Sequence, residues 1–150
     1  MPHVAGQRLA LASWLGLLLA CRQPVPYTLV RIIGRNYAYG VPPVLRPGPT
    51  AFQFINQGSV THEFQIFRFS PGIPADSALR MLAADDTPDD AAESSGGILV
   101  ATAGDTVRQL LFDELRPGDV YGLLCEFRDS TGTPKHSRLG MYAVVRVEEQ

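Results

Sequence analysis

The 150-residue chain predicts an all-β protein, a two-sheet sandwich with one short helical insertion. Three observations carry that expectation. Apolar runs are short and rich in β-branched and aromatic residues, 14 Gly and 12 Pro punctuate them, and several runs alternate polar and apolar residues with period two. At this length one domain with a real core is expected, since two ordinary domains would need more chain.

Residues 28–33 read as the first strand, broken by Gly34, and Tyr37 and Tyr39 alternate before Gly40 and the Pro42-Pro43 pair. Pro47-Gly48-Pro49 is a turn, and residues 51–56 follow as a strand with Phe52 and Phe54 on one face. Asn56-Gln57-Gly58 turns the chain into a strand at residues 62–67. There, period two sets His62 on the face of Phe64 and Ile66, with Glu63 and Gln65 opposite. Residues 74–84 form the helical segment, with Ala78, Leu79, Met81 and Leu82 as a partial apolar stripe. The acidic run Asp85, Asp86, Asp89, Asp90 and Glu93, with Ser94-Ser95-Gly96-Gly97 behind it, lacks the ligand spacing and central glycine of a calcium loop. It reads as a solvated excursion. Strands resume at residues 98–101, 107–112, 120–125 and 141–147, giving seven or eight in all. Tyr121, Leu123 and Cys125 share a face, as do Met141, Ala143, Val145 and Val147.

The first residues belong to targeting rather than to the fold. Residues 9–20 are an apolar stretch behind Arg8, too short to span a bilayer comfortably and typical of a signal-peptide core. It ends in Leu18-Leu19-Ala20-Cys21, which resembles a bacterial lipobox, whose cysteine becomes the lipidated first residue of the mature protein. An ordinary secretory peptide cut nearby is the alternative. The expected organisation is a signal peptide over residues 1–20, a short tether over 21–27 and the folded domain over 28–150. Arg22 stands where an aspartate would retain a lipoprotein at the inner membrane, so the periplasmic face of the outer membrane is expected.

Net charge is −2 with no basic cluster, so nucleic acid is not an expected partner. The chain has no Gly-x-Ser-x-Gly elbow, His-Glu-x-x-His, Gly-rich phosphate loop or Cys-x-x-Cys, and it is not expected to be an enzyme.

What chemistry remains gathers near the C-terminus. Outside the cytoplasm thiols tend to be paired, yet with Cys21 lipidated Cys125 has no partner in the chain. It is then a buried inert thiol, half of an intermolecular disulfide, or a metal ligand. Its neighbours bear on the choice. Cys125, His136 and Met141 follow the order Cys-x10-His-x4-Met, with His62 upstream, and the chain holds only three histidines. Two imidazoles, a thiolate and a weak thioether are the ligand set of an electron-transfer copper site. Singly, His62 is a hydrogen-bonded histidine at a sheet end, His136 a polar loop residue and Met141 core packing. Order, spacing and face parity join them. A binuclear copper site would need two cysteines in the ligand loop, and only Cys125 is there.

Phe54-Ile55-Asn56-Gln57-Gly58 before His62-Glu63-Phe64 resembles the first ligand region of the cupredoxins, where an Asn-x-Gly turn precedes a strand-opening histidine. Arg116-Pro117-Gly118-Asp119-Val120-Tyr121-Gly122-Leu123-Leu124-Cys125 resembles their cysteine-bearing strand, and Gly140-Met141 their axial methionine. The resemblance covers residues 28–147. It implies a Greek-key β-sandwich holding one copper ion in a type 1-like site, with His62, Cys125 and His136 in the trigonal plane and Met141 as the weak axial contact. One departure stands out. Blue copper proteins place only a few residues between the cysteine and the second histidine, and here residues 126–135 intervene. That spacing resembles an exported lipoprotein branch with a long Cys-to-His loop. Asp129-Ser130-Thr131-Gly132 is turn chemistry, so a returning hairpin is expected, and doubling a flexible loop costs only about 0.6 kcal/mol. Lys135 is expected to point outward, away from a metal.

The implied function is one-electron transfer at the cell envelope by a monomer serving larger redox proteins, tied to the membrane through a lipid anchor. A copper(I) carrier or sensor is the second reading. A metal-free structural or interaction module is the third.

Overall fold

In the computed structural model, residues 26–85 and 89–149 are described. The apolar N-terminal stretch, Cys21, the tether up to residue 25 and Asp86 of the acidic run lie outside the described residues.

Among the described residues nine strands and one α-helix follow in order: β1 (Thr28–Arg35), β2 (Ala38–Gly40), β3 (Val44–Leu45), β4 (Gly48–Asn56), β5 (His62–Phe69), α1 (Ala75–Ala84), β6 (Ala92–Ala101), β7 (Leu111–Leu115), β8 (Val120–Leu124) and β9 (Tyr142–Val147). They form two sheets, ordered β2-β1-β4-β7 and β3-β9-β8-β5-β6. Both sheets are mixed: β1 runs parallel to β4 and β3 parallel to β9, while the other pairs are antiparallel. Between the sheets lies the main core, built from Ile32, Phe52, Phe54, Phe64, Ile66, Leu99, Leu115, Tyr121, Leu123, Val145 and Val147. The period-two faces expected for β5, β8 and β9 all point into it. Among the described residues no helix is long and apolar enough to cross a membrane.

Several boundaries differ from the sequence expectation: β4 begins at Gly48, where a turn was expected, because Gly48 and Pro49 pair with Leu115 and Glu114 of β7. β1 continues through Gly34 to Arg35, because its parallel register with β4 pairs Gly34 with Asn56. The chain then turns at Asn36 and Tyr37, both with positive φ, so Tyr37 belongs to a hairpin turn and not to a strand. β6 takes in Ser94 to Gly97: Ser94, Ser95 and Gly97 pair with β5, and Gly96 is left out at a register shift, so the segment is not a solvated excursion. Residues 107–110 are irregular, and the strand expected there begins at Leu111. The ninth strand is β3, only two residues long and so invisible as a pattern.

The helix covers the second sheet's outer face. On β5 the outward positions after Gln65 are Phe67 and Phe69, and both are buried with Ala78 and Leu82 of α1. Ala78 and Leu82 lie four apart on one helix face, while Leu79, expected in the stripe, is 45% exposed. Two outward phenylalanines on one strand need this cover, and burying such a side chain is worth ~1.5–3 kcal/mol.

Gly122 of β8 lies opposite Phe67, and a Cβ there would sit 2.5 Å from Phe67 Cζ and 2.9 Å from Phe69 Cε2. Since α1 closes the space behind those rings, they have nowhere to retreat. Gly122→Ala is expected to destabilise the fold by roughly 1–3 kcal/mol through overpacking, read as a lower midpoint in denaturant melts. An unchanged midpoint would show that the rings repack freely.

Candidate metal centre

Three donors meet at one end of the sandwich. His62 opens β5, Cys125 follows the last residue of β8, and His136 opens a 3₁₀ turn (His136–Leu139) that leads through Gly140 to Met141 and β9. All four side chains have zero exposure. The ligating atoms of His62, Cys125 and His136 lie within 4.8 Å of one another. The two Nδ1 atoms are 3.0 Å apart, and Cys125 Sγ is 3.5 Å from His136 Nδ1.

That donor set fits a small metal ion. Bonds of about 2.0–2.3 Å at trigonal angles separate donors by roughly 3.5–3.8 Å, against 3.0 Å between the two Nδ1 atoms and 3.5 Å from Sγ to His136 Nδ1 here, so a slight spreading of the imidazoles admits the ion. Two imidazole nitrogens and one thiol sulfur are also the mixed, partly soft set that copper takes. His62, Cys125 and His136 are placed to form a type 1-like copper site.

Backbone hydrogen bonds lock the three segments together. Cys125 N donates to Met141 O at 3.1 Å, Ser137 N to Cys125 O at 2.8 Å, and Met141 N to His136 O at 3.0 Å. The backbone of Met141 is thereby tied to both Cys125 and His136, and the methyl end of its side chain lies 3.3 Å from where a Cβ on Gly34 would be. The Glu63 N–H points at Cys125 Sγ at 3.3 Å. Asn56 clamps the loop before His62: its Nδ2 donates to the carbonyls of Val60, Ala101 and Thr102, and its Oδ1 accepts from Gly58 N. A Cβ on Gly58 would fall 2.9 Å from His62 Nε2, so a glycine is needed for the imidazole to fit. The Asn-x-Gly signal read from the sequence as a turn is therefore also a brace.

Residues 126–135 leave the site and come back to it. Thr133 N donates to Ser130 O, His136 N donates to Phe127 O at 2.9 Å, Arg128 donates to the Thr133 carbonyl, and Lys135 pairs with Glu126. The excursion returns as the turn chemistry predicts, though no β-ladder forms in it. Lys135 points outward onto Glu126, as a buried metal site requires.

Two residues that sequence reasoning missed complete the site. Asp129 Oδ1 lies 3.0 Å from His136 Nε2, and its Oδ2 accepts a hydrogen bond from the Tyr37 hydroxyl at 2.9 Å. The Tyr37 ring stands edge-on to both imidazoles, at centroid distances of 4.9 Å to His136 and 5.9 Å to His62. The Tyr37 hydroxyl, with His136, holds the Asp129 carboxyl below its ordinary range. Burial, helped by the neighbouring His136, lowers His62 from its ordinary value. His62 Nε2 is buried without a partner.

Burial pushes the Cys125 thiol up to about 11, against the opposing pull of the Glu63 and Phe127 backbone N–H groups. In the unfolded chain it ionises near 9.0. Between those values the unfolded state has released a proton that the native state keeps, so stability falls as pH rises; below the lower value the contribution is complete. The melting temperature of the metal-free protein is expected to drop across that window, by the equivalent of about 2–3 kcal/mol. Cys125→Ala should flatten this part of the profile. If it leaves the slope unchanged, the thiol is not the titrating group.

Solved structures resemble this chain in fold. Dithionite-reduced auracyanin from Roseiflexus castenholzii matches with a TM-score of 0.52 at 18% identity, covering 81% of this chain and 98% of that one. Rusticyanin from Thiobacillus ferrooxidans matches with a TM-score of 0.50 at 16% identity, covering 81% and 77%. No protein-family model matches the chain, and no curated protein matches it by sequence. The two mixed sheets share the cupredoxin-like β-sandwich fold of these neighbours, and the His-Cys-His cluster lies at one end of it.

Proposed function

We propose that this chain is a mononuclear copper protein that carries one electron at a time at the cell envelope. The observation that supports this reading most is the fully buried cluster of His62, Cys125 and His136. His62 and His136 would hold the ion through Nδ1 and Cys125 through Sγ, with the Met141 thioether as a weak fourth donor. A bound copper ion supplies the one-electron couple, and mixed nitrogen and sulfur donors suit both of its oxidation states. The chain's own work is to hold those donors still and dry. Donors fixed by strands and backbone hydrogen bonds need little rearrangement when charge arrives. Because the donors are enclosed, a substrate has no approach to them, which favours a carrier over an enzyme.

This reading includes an exported domain over residues 28–150 on a short tether, with Cys21 as the lipidated residue. Its support is the lipobox-like Leu18-Leu19-Ala20-Cys21. The partners would be larger redox proteins of the envelope, met by a monomer at the periplasmic face of the outer membrane.

Cu(II) added to the purified protein is expected to give an intense thiolate-to-copper absorption at one equivalent and to raise the melting temperature. Cys125→Ser should abolish the band, His62→Ala or His136→Ala should weaken binding strongly, and Met141→Leu should chiefly shift the potential. Reversible reduction and reoxidation mark an electron carrier. A protein that holds copper(I) without cycling is a carrier or sensor of the metal. Absence of stoichiometric uptake, with Cys125 shown to be reduced, leaves the metal-free module.

Expression in a bacterial host tests the anchor. The protein should partition with membranes, since two or more acyl chains hold a protein stably, and Cys21→Ser should release it. An unchanged protein that is soluble and begins elsewhere would rule the anchor out.

A further inference from the structure

The two histidines of the cluster differ on their outer sides. His62 Nε2 is buried against Gly58 with no hydrogen-bond partner, so on its outer side packing alone holds that ring. His136 Nε2 meets the carboxylate of Asp129 at 3.0 Å. An ionised carboxylate can only accept, so His136 must carry its proton on Nε2, which leaves the Nδ1 lone pair facing His62 and Cys125. Asp129 is in turn held by the Tyr37 hydroxyl at 2.9 Å, across 92 residues of sequence. Tyr37 itself sits at φ 66°, a left-handed conformation uncommon for a residue other than glycine and paid for by the surrounding contacts. The carboxylate reaches the ring because residues 126–135 double back, closed by His136 N on Phe127 O.

We propose that Asp129, braced by Tyr37, is the positioning residue for His136, and that the long loop serves to deliver it. Asp129 fixes the Nε2–H tautomer and the ring plane. It also sets a negative charge one imidazole away from the metal position. This rests on the copper reading, for the charge has a redox consequence only with a metal bound: it favours the more positive oxidation state and so lowers the potential.

Three variants separate position from charge: Asp129→Ala, Asp129→Asn and Tyr37→Phe. Nitrogen-15 correlations on the histidine rings of the metal-free protein read the tautomer directly. The unchanged protein should show His136 protonated at Nε2. Asp129→Ala should lose that preference, bind copper about 10–100-fold more weakly, and show a raised potential. Asp129→Asn keeps an acceptor oxygen, so tautomer and most of the affinity should return while the potential stays raised. Tyr37→Phe leaves the charge in place and only loosens its brace, so affinity should fall by less than in Asp129→Ala and the potential should not rise as it does there. The proposal is overturned if His136 keeps its tautomer in Asp129→Ala, or if affinity and potential do not move in any of the three. Should Asp129→Ala fold poorly, the asparagine and Tyr37→Phe variants carry the same decision. If the unchanged protein takes up no copper, the copper reading fails on its own, and the tautomer measurement still decides whether Asp129 positions His136.

Discussion

Two imidazoles and a thiol with zero exposure, at one end of an apolar sandwich, set the constraint that the surrounding structure answers. Buried polar groups cost several kcal/mol unless they find partners, and here much of the partnering is mutual. The Nδ1 atoms face each other and the sulfur, while the outer groups are met by the Glu63 N–H on Cys125 and Asp129 on His136. One atom, His62 Nε2, has no partner and is accommodated only because residue 58 has no side chain. The donors come from the strands and loop of the second sheet, and the first sheet braces them. Asn56 ends a strand of the first sheet and fastens the loop before His62 to the end of β6 in the second, so the clamp bridges the two layers.

Much of this was legible in the sequence because strand parity is a strong signal. The alternation from His62 to Ile66 points the imidazole inward, and the same rule places Cys125 with Tyr121 and Leu123, and Met141 with Val145. Short-range chemistry also read correctly at Asn56-Gln57-Gly58 and at the Asp129-Ser130-Thr131-Gly132 turn. What failed was whatever depends on a partner far along the chain. Ser94 to Gly97 have the composition of a loop, and only the edge offered by β5 makes them a strand. Leu79 matches a helical stripe, yet α1 rotates to put Ala78 and Leu82 on the outward phenylalanines of β5. No local pattern announces that those rings will need covering.

The site shows the same division. The three clustered donors were visible through residue type, order and spacing. Tyr37 read as an alternating strand residue because a positive φ leaves no trace in a tyrosine, and its role exists only through Asp129. Asp129 read as turn chemistry, which it is; that the turn folds back to put its carboxylate on a histidine seven residues later is a property of the loop's closure. The sequence signal in this chain is thus clearest at the donors and fainter at Tyr37 and Asp129, which orient one of them.

The distances in sequence between the parts of this site have a temporal consequence. His62 and Cys125 are 63 positions apart, and Tyr37 and Asp129 are 92. Contacts of such span form late, after the entropy of closing long loops has been met, and sheet proteins dominated by them fold slowly. Until β5, β8 and β9 have paired, Cys125 is an ordinary accessible thiol, and only the finished fold takes it out of reach of oxidants. The interval between leaving an unfolded state and closing the sandwich is therefore when this cysteine is most vulnerable, and a slower-folding variant would lose thiol even if its final structure were identical.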